Sequence, residues 1–165
     1  MPMLWLLAIS LLGLATGLRS MTPMAVLCWF AYLGYLPVGG TWAAWTARLA
    51  VAIGYTVLAV GEYAADKLPG VPNRTSPGPL MVRVALGGLA GAISVTALHG
   101  ARLEGVLLGG LAALLGAFGG FMIRRDVVQK LGCADWPVAM VEDAAAILGA
   151  ALAVHGIAGY AASFQ

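Results

Sequence analysis

Apolar residues occur in long runs along the chain, and charged residues together with Pro and Gly separate one run from the next. A membrane-spanning helix needs about 20 mostly apolar residues, with roughly 17 to 25 as the range. On this criterion the pattern predicts about six spans, at residues 3–18, 22–38, 47–66, 79–99, 103–123 and 137–160. An alternative for the second run is that residues 22–38 re-enter the membrane from the side on which they begin.

A Pro- and Gly-rich segment, residues 68–78, divides the predicted spans into two halves, 1–67 and 79–165. The halves contain similar short stretches, Glu62-Tyr63-Ala64-Ala65 and Glu142-Asp143-Ala144-Ala145, and a helix ending in basic residues precedes each one. Inverted repeats of this kind are common in small transporters. We therefore expect a single all-α transmembrane domain over residues 1–165, a polytopic helix bundle with a degenerate inverted repeat as a further hypothesis.

Composition supports the membrane class, because 61% of the residues are hydrophobic and only 10% are charged. A soluble domain usually has about 25% charged residues. The 23 glycines include pairs at a spacing of four that permit close contact between helices in lipid. These pairs are Gly87/Gly91, Gly105/Gly109 and Gly116/Gly120. They predict either tight packing inside the bundle or a homodimer interface formed by the Gly-rich helices.

Basic residues are distributed unequally between the two faces that six spans would create. Seven fall on one face and two, Arg48 and Arg102, on the other; the seven are Arg19, Lys67, Arg74, Arg83, Arg124, Arg125 and Lys130. Because cytoplasmic loops are enriched in Lys and Arg, the larger set is expected in the cytoplasm and both termini outside. The net charge of +2 is too small to predict a nucleic-acid partner.

Four of the seven acidic residues fall within the third and sixth predicted spans. Glu62 and Asp66 are four residues apart on one helical face, and Glu142 and Asp143 are adjacent. Carboxylates are costly in lipid and usually face the interior of a bundle. We therefore expect the third and sixth spans to pack together, with Glu62 close to Glu142 or Asp143.

These four carboxylates, Glu62, Asp66, Glu142 and Asp143, are the predicted ion- or substrate-binding residues. Arg19, Lys67 and Arg125 are the predicted counter-charges or anion-binding groups. A structural alternative stays open, in which the same ion pairs only fix the ends of helices. No cofactor is expected, although a divalent cation could bind the acids. Cys28 and Cys133 have no metal-ligand spacing and are interpreted as packing residues.

The stretch Glu62-Tyr63-Ala64-Ala65-Asp66-Lys67-Leu68-Pro69-Gly70, followed by a Pro-containing loop and a helix bearing Arg83, resembles the DUF4126 family of bacterial membrane proteins. Residues 15–23 and Val141-Glu142-Asp143 are also similar to that family. The function of the family is unknown. The resemblance implies a multi-pass protein of the bacterial cytoplasmic (inner) membrane and supports the choice of site residues, but it implies no reaction.

Three functions fit these observations. The leading hypothesis is a small transporter or channel-like protein, whose acidic polar pocket near the cytoplasmic side moves an ion or small solute. The second is a membrane-embedded enzyme that acts on a lipid headgroup or phosphate through a divalent metal. The third is a non-catalytic scaffold subunit. The chain contains no GxSxG, HExxH or P-loop motif, so an enzyme is not the expected class.

Overall fold

A computed structural model describes residues 3–66, 75–132 and 134–163. The helices in these ranges are α1 (Met3–Leu18), α2 (Met21–Tyr32), a 3-10 helix η1 (Trp42–Ala47), α3 (Leu49–Ala65), α4 (Pro77–Ala97), α5 (Arg102–Leu131) and α6 (Asp135–Ala162). The described ranges contain no β-strand, which confirms the all-α prediction.

Three helices, α4, α5 and α6, are long enough and apolar enough to cross a membrane. Helices α1, α2 and α3 are also apolar but shorter. Large apolar side chains are exposed on the outer surfaces of the bundle, among them Val57, Leu115 and Leu152. The bundle is therefore that of a membrane protein, while its number of crossings depends on the three shorter helices.

The prediction of one continuous helix over residues 22–38 is wrong. Helix α2 has 12 residues, which at 1.5 Å per residue rise about 18 Å, less than the roughly 30 Å of a hydrocarbon core. Gly34 follows it with φ +82°, a left-handed conformation that suits glycine and stops the helix. The chain then packs back onto the bundle, because Val38 and Ala43 are buried.

Helix α5 extends beyond its predicted end at residue 123 and continues to Leu131. It ends at Gly132, which has φ +59° and donates its N–H to the carbonyl of Val128 over 3.0 Å. The basic pair Arg124 and Arg125 therefore lies within a helix and not in a turn. Helix α6 begins at Asp135, so α5 and α6 form a long hairpin.

The short helix α1 lies at the centre of the bundle, in contact with α2, α4, α5 and α6. It approaches α5 closely: a Cβ added to Gly17 would lie 2.2 Å from the carbonyl oxygen of Ala113. Gly91 on α4 faces Gly105 on α5 with similar closeness, since a Cβ on Gly91 would lie 2.0 Å from the Gly105 oxygen. These glycines are thus used for packing within the chain, and the homodimer stays a prediction.

Helix α3 lies at the periphery and packs against α2 and η1. In the described part of the chain α3 has no extensive contact with α6, so the prediction that these two helices pack directly together is wrong. Helix α2 lies between them and contacts both. We call the end of the bundle where α1 and α3 finish and α2 and α4 begin the basic end. The opposite end contains η1, whose Trp42 Nε1 donates to Thr96 Oγ1 near the α4–α5 turn over 2.9 Å.

Candidate functional site

Among the residues that the structure describes, Arg19 is the most deeply buried charged side chain at the basic end, with 2% of its surface exposed. It follows the last residue of α1 and precedes α2, where the carbonyl end of α1 favours a positive charge. Its Nε donates to Asp143 Oδ1 over 2.5 Å, and its Nη2 donates to Asp66 Oδ2 over 2.8 Å. The guanidinium also lies 5.3 Å from the ring centroid of Tyr63. Arg19 therefore links α1 to α6 and to the end of α3.

Glu62 on α3 caps the first turn of α2. Its Oε1 accepts hydrogen bonds from the backbone N–H and the hydroxyl of Ser20, over 3.0 and 2.9 Å, and its Oε2 accepts from the N–H of Met21 over 3.0 Å. Ser20 holds the N-cap position but its own side chain makes no capping bond. A carboxylate from another helix thus replaces the usual local cap, and its negative charge suits the positive end of the helix dipole.

Arg83 on α4 serves the other side of the same junction and is 7% exposed. Its Nη1 donates to the carbonyl oxygens of Gly17 and Leu18 over 3.0 and 2.7 Å, which satisfies acceptors that the end of α1 leaves open. Its Nη2 donates to Glu62 Oε1 over 3.2 Å. Arg83 and Glu62 therefore fix the α1–α2 junction as an oppositely charged pair. The Nε of Arg83 is buried without a partner among the described residues.

Arg124 on α5 contacts carboxylates of α6 and the carboxylate of Asp66 at the end of α3. It binds Asp135, at the start of α6, through two donors: Nε lies 2.8 Å from Oδ1, and Nη2 contacts Oδ2. Its Nη1 lies 3.4 Å from Asp66 Oδ2 and 3.6 Å from Glu142 Oε2. Asp66 is consequently shared between Arg19 and Arg124.

We call these eight side chains the ion-pair network: Arg19, Glu62, Asp66, Arg83, Arg124, Asp135, Glu142 and Asp143. Burial acts to raise the pKa of the Asp66 carboxyl, but Arg19 and Arg124 outweigh burial and hold that pKa below its usual value. Asp66 is therefore ionised at neutral pH.

The structure brings five of the seven predicted site residues into the network: Arg19, Glu62, Asp66, Glu142 and Asp143. Arg125 does not join them. Its side chain is 53% exposed and pairs with its neighbour Asp126 over 3.1 Å. Adjacent helical residues point about 100° apart, so Arg124 faces the network and Arg125 turns away from it. Lys67 lies outside the described residues.

Sequence reasoning missed the roles of Arg83 and Arg124 as partners of the acids. The predicted fifth span ends at residue 123, which leaves Arg124 just beyond the helix. The C-terminal signal of Gly132 could have extended the helix through both arginines. The contact between Thr22 Oγ1 and Tyr63 Oη, at 2.6 Å, was also missed.

A cleft of about 460 Å³ lies beside the network, between α5 and α6. Its lining is apolar except for Arg124 and Glu142; the other lining residues are Leu18, Gly120, Ile123, Val127, Pro137, Val138, Val141 and Ala145. No group of three His, Cys, Asp or Glu side chains placed to hold a metal ion was found in the described ranges. Each carboxylate of the network lies within 3.6 Å of an arginine guanidinium.

The fold and this site define an all-helical membrane bundle with an ion-pair network at one end and an apolar cleft next to it. The sequence model of the family described as "Domain of unknown function (DUF4126)" matches residues 6–157. The chain belongs to that family. Comparison with curated proteins gives no match, and comparison with solved structures gives none either.

Proposed function

We propose that the protein is a small membrane transporter or channel-like protein for an ion or small solute, and that the ion-pair network acts as a gate at the basic end. The observation that carries the proposal is the position of Arg19 between Asp66, at the end of α3, and Asp143 on α6. Because α3 and α6 do not pack directly on each other, Arg19 provides a charged link between them in addition to their shared packing on α2. Ion pairs can exchange partners between two arrangements, as gating transitions require.

The sharing of Asp66 supports this exchange. Asp66 contacts both Arg19 and Arg124, at 2.8 and 3.4 Å, so it can release one guanidinium and keep the other. A charge would therefore not be left unpaired during the movement, which is the costly situation in a low-dielectric region. Ionisable residues inside membrane bundles commonly mark ion and proton pathways.

We further propose that the protein lies in the bacterial cytoplasmic membrane, with the basic end in the cytoplasm and both termini outside. Arg19, Arg83 and Arg124 meet at that end, whereas Arg102 lies at the opposite end, 5.6 Å from the ring of Trp42. Single cysteines at positions 70 and 165 should be labelled by an impermeant maleimide from opposite sides of the membrane. Labelling of both from the same side would contradict six crossings.

The test of transport uses the purified chain in three sets of liposomes, each of which contains a dye selective for one of the probe ions H⁺, Na⁺ and K⁺. We expect flux of at least one ion above that of protein-free liposomes. Asp143→Asn should change this flux by about tenfold or more, the effect of roughly 1.4 kcal/mol on one step. Asp126→Asn is the matched control, because Asp126 is an exposed carboxylate that pairs with Arg125 outside the network. Absence of flux for all three ions would contradict an ion transporter.

A second candidate is a non-catalytic membrane scaffold subunit, and one observation favours it. Glu62 and Arg83 cap the junction of α1 and α2, a role that needs no solute. In this case Asp143→Asn would lower the melting temperature and leave flux per folded molecule unchanged. The transporter proposal expects flux to change even in variants that melt normally.

A further inference from the structure

The two arms of the α5–α6 hairpin are held apart where α1 lies between them. Helix α1 packs extensively on both arms, whereas α5 and α6 make few contacts with each other. Leu18, the last residue of α1, is also part of the cleft lining, so α1 ends where the cleft begins. A space of about 460 Å³ between the arms is therefore left open by the protein.

The walls of this cleft favour an apolar occupant. Eight of its ten described lining residues are apolar or glycine, and the two others are Arg124 and Glu142. A bound water needs about two to four polar partners, and most of the cleft surface offers none. The volume falls within the range of ligand pockets, roughly 300 to 1,000 Å³. An apolar molecule therefore fits the cleft better than water does, and this preference requires neither of the two charged residues.

The cleft opens onto the lipid-facing surface of the bundle. Two of its lining residues, Ile123 on α5 and Val141 on α6, are 66% and 70% exposed. Apolar side chains on the outer surface of a membrane bundle are surrounded by lipid tails, which are as apolar as leucine. The molecules available to the cleft from this side are therefore the acyl chains of the bilayer.

The depth of the cleft indicates which part of a lipid reaches it. Helix α6 has 28 residues, about 42 Å at 1.5 Å per residue, which matches a bilayer with its headgroup regions, roughly 40–45 Å. Trp136, near the start of α6, is 65% exposed, as a tryptophan at the membrane interface would be. Pro137 to Ala145 lie about 3–15 Å from the start of the helix, and the hydrocarbon core begins roughly 5–8 Å from it. The cleft therefore lies at the level of the glycerol groups and the upper acyl chains.

We propose that the cleft holds the upper part of one acyl chain of a membrane phospholipid, and that this chain is retained while neighbouring lipids exchange. Helices α5 and α6 and the end of α1 contact such a chain on three sides. A lipid beside the exposed Val60 on the peripheral helix α3 meets one outer helix face. The bound chain keeps the arms of the hairpin apart beside the ion-pair network, because Arg124 and Glu142 belong to both. The site does not depend on the proposed transport.

The test uses the full chain in phosphatidylcholine vesicles that contain a small fraction of a photoreactive phosphatidylcholine. This probe carries a diazirine near the carboxyl end of one acyl chain and attaches covalently to adjacent protein on illumination. Peptide mass spectrometry should find the label beside the cleft, on α5 and α6, at least about tenfold above the label around Val60, a preference of roughly 1.4 kcal/mol. Val60 is the reference because it lies two residues before Glu62 and so close to the network in depth. Equal labelling of the two surfaces would overturn the proposal.

Two variants fill the cleft from opposite walls. Ala145→Leu on α6 and Val127→Phe on α5 should each lower the labelling of the cleft about tenfold. The matched controls, Ala144→Leu and Val128→Phe, change neighbouring residues that are not among the described lining residues, and should leave the labelling as it is. If one cleft variant fails to fold, the other decides. Unchanged labelling in a folded cleft variant would refute the site.

Two further outcomes identify other occupants. A probe with the diazirine at the far end of the same acyl chain should label the cleft about tenfold less than the first probe does. Equal labelling by the two probes would show general contact with lipid and overturn the retained chain. Absence of label, together with a disulfide between two copies of a Val141→Cys variant, would assign the cleft to a second copy and overturn the lipid. Labelling needs no ion gradient, so none of these outcomes depends on whether the protein shows flux.

Discussion

The replacement Glu62→Gln tests the central claim about how the α1–α2 junction is held. It removes one charge and keeps the size of the side chain. Glu62 is 15% exposed and accepts bonds from Ser20, Met21 and Arg83. The amide of Gln has one acceptor oxygen, so its NH₂ group would face one of the donors that the second carboxylate oxygen now satisfies.

The expected loss can be bounded from these contacts. Loss of an N-cap costs about 0.5–2 kcal/mol, and removal of one partner from a buried ion pair costs about 3–5 kcal/mol. Both effects involve the same carboxylate and are not additive, so we expect about 3 kcal/mol in total. For a chain of this length 1 kcal/mol corresponds to about 2–4 °C, which predicts a fall in melting temperature of about 6–12 °C.

The assay is a thermal melt in detergent, followed by intrinsic fluorescence, with Asp126→Asn as the control. Asp126 is an exposed partner of Arg125, and such surface pairs contribute about 0–1 kcal/mol. The double variant Glu62→Gln/Arg83→Met should be less destabilised than the sum of its two single changes, because part of the cost is the stranded Arg83 charge. A difference of about 2 °C corresponds to only about 0.5–1 kcal/mol. If Glu62→Gln melts within that range of the unmodified chain, this account of the junction is refuted.

Three further predictions follow from the packing and the network. Gly17→Ala should prevent normal assembly, because the added Cβ would lie 2.2 Å from a carbonyl oxygen of α5. Gly61→Ala should be tolerated, because nothing lies within 4 Å of a Cβ at that position. The yield of monodisperse protein measures both effects. Arg124→Ala should lower the melting temperature and Arg125→Ala should leave it nearly unchanged, and equal effects would contradict the assigned orientations. Because the pKa of Asp66 is held below its usual value of about 3.9, its stabilising effect is present above that value and is lost as the pH falls through the lower, folded-state pKa. Melts below about pH 4 should therefore show a weaker acid dependence in Asp66→Asn, and parallel curves would contradict the pairing.

Sequence patterns predicted well what depends on hydropathy and on the cost of buried charge. The bounds of α1 agree with the predicted run 3–18, and the acids of two distant stretches converge at one end as expected. Hydropathy alone could not place the end of α2. Leu36 and Val38 are apolar and buried, yet they belong to an irregular segment packed on the bundle. A buried loop and a buried helix both contain apolar residues, so hydropathy does not distinguish them.

The partners within the ion pairs are the second feature that could not be predicted from the sequence, because a charge pattern does not specify which guanidinium contacts which carboxylate. Arg124 and Arg125 are adjacent in sequence, and only the phase of α5 decides which one faces α6. The direct packing of α3 on α6 was inferred from the matched depth of their acids. The structure satisfies the same electrostatic requirement differently, since Arg19 reaches both helices from the α1–α2 junction.

The central position of α1 has a consequence for the order in which the protein is made. Arg19 and its partner Asp143 are 124 residues apart, and at a synthesis rate of about 5–20 residues per second that separation takes roughly 6–25 s. During this time α1 is already outside the ribosome, while α6, whose Asp143 will bind Arg19, has not emerged. The growing chain must therefore keep Arg19 near water, or beside Asp66 alone, until α6 arrives. Closure of the bundle is thereby coupled to the synthesis of α6.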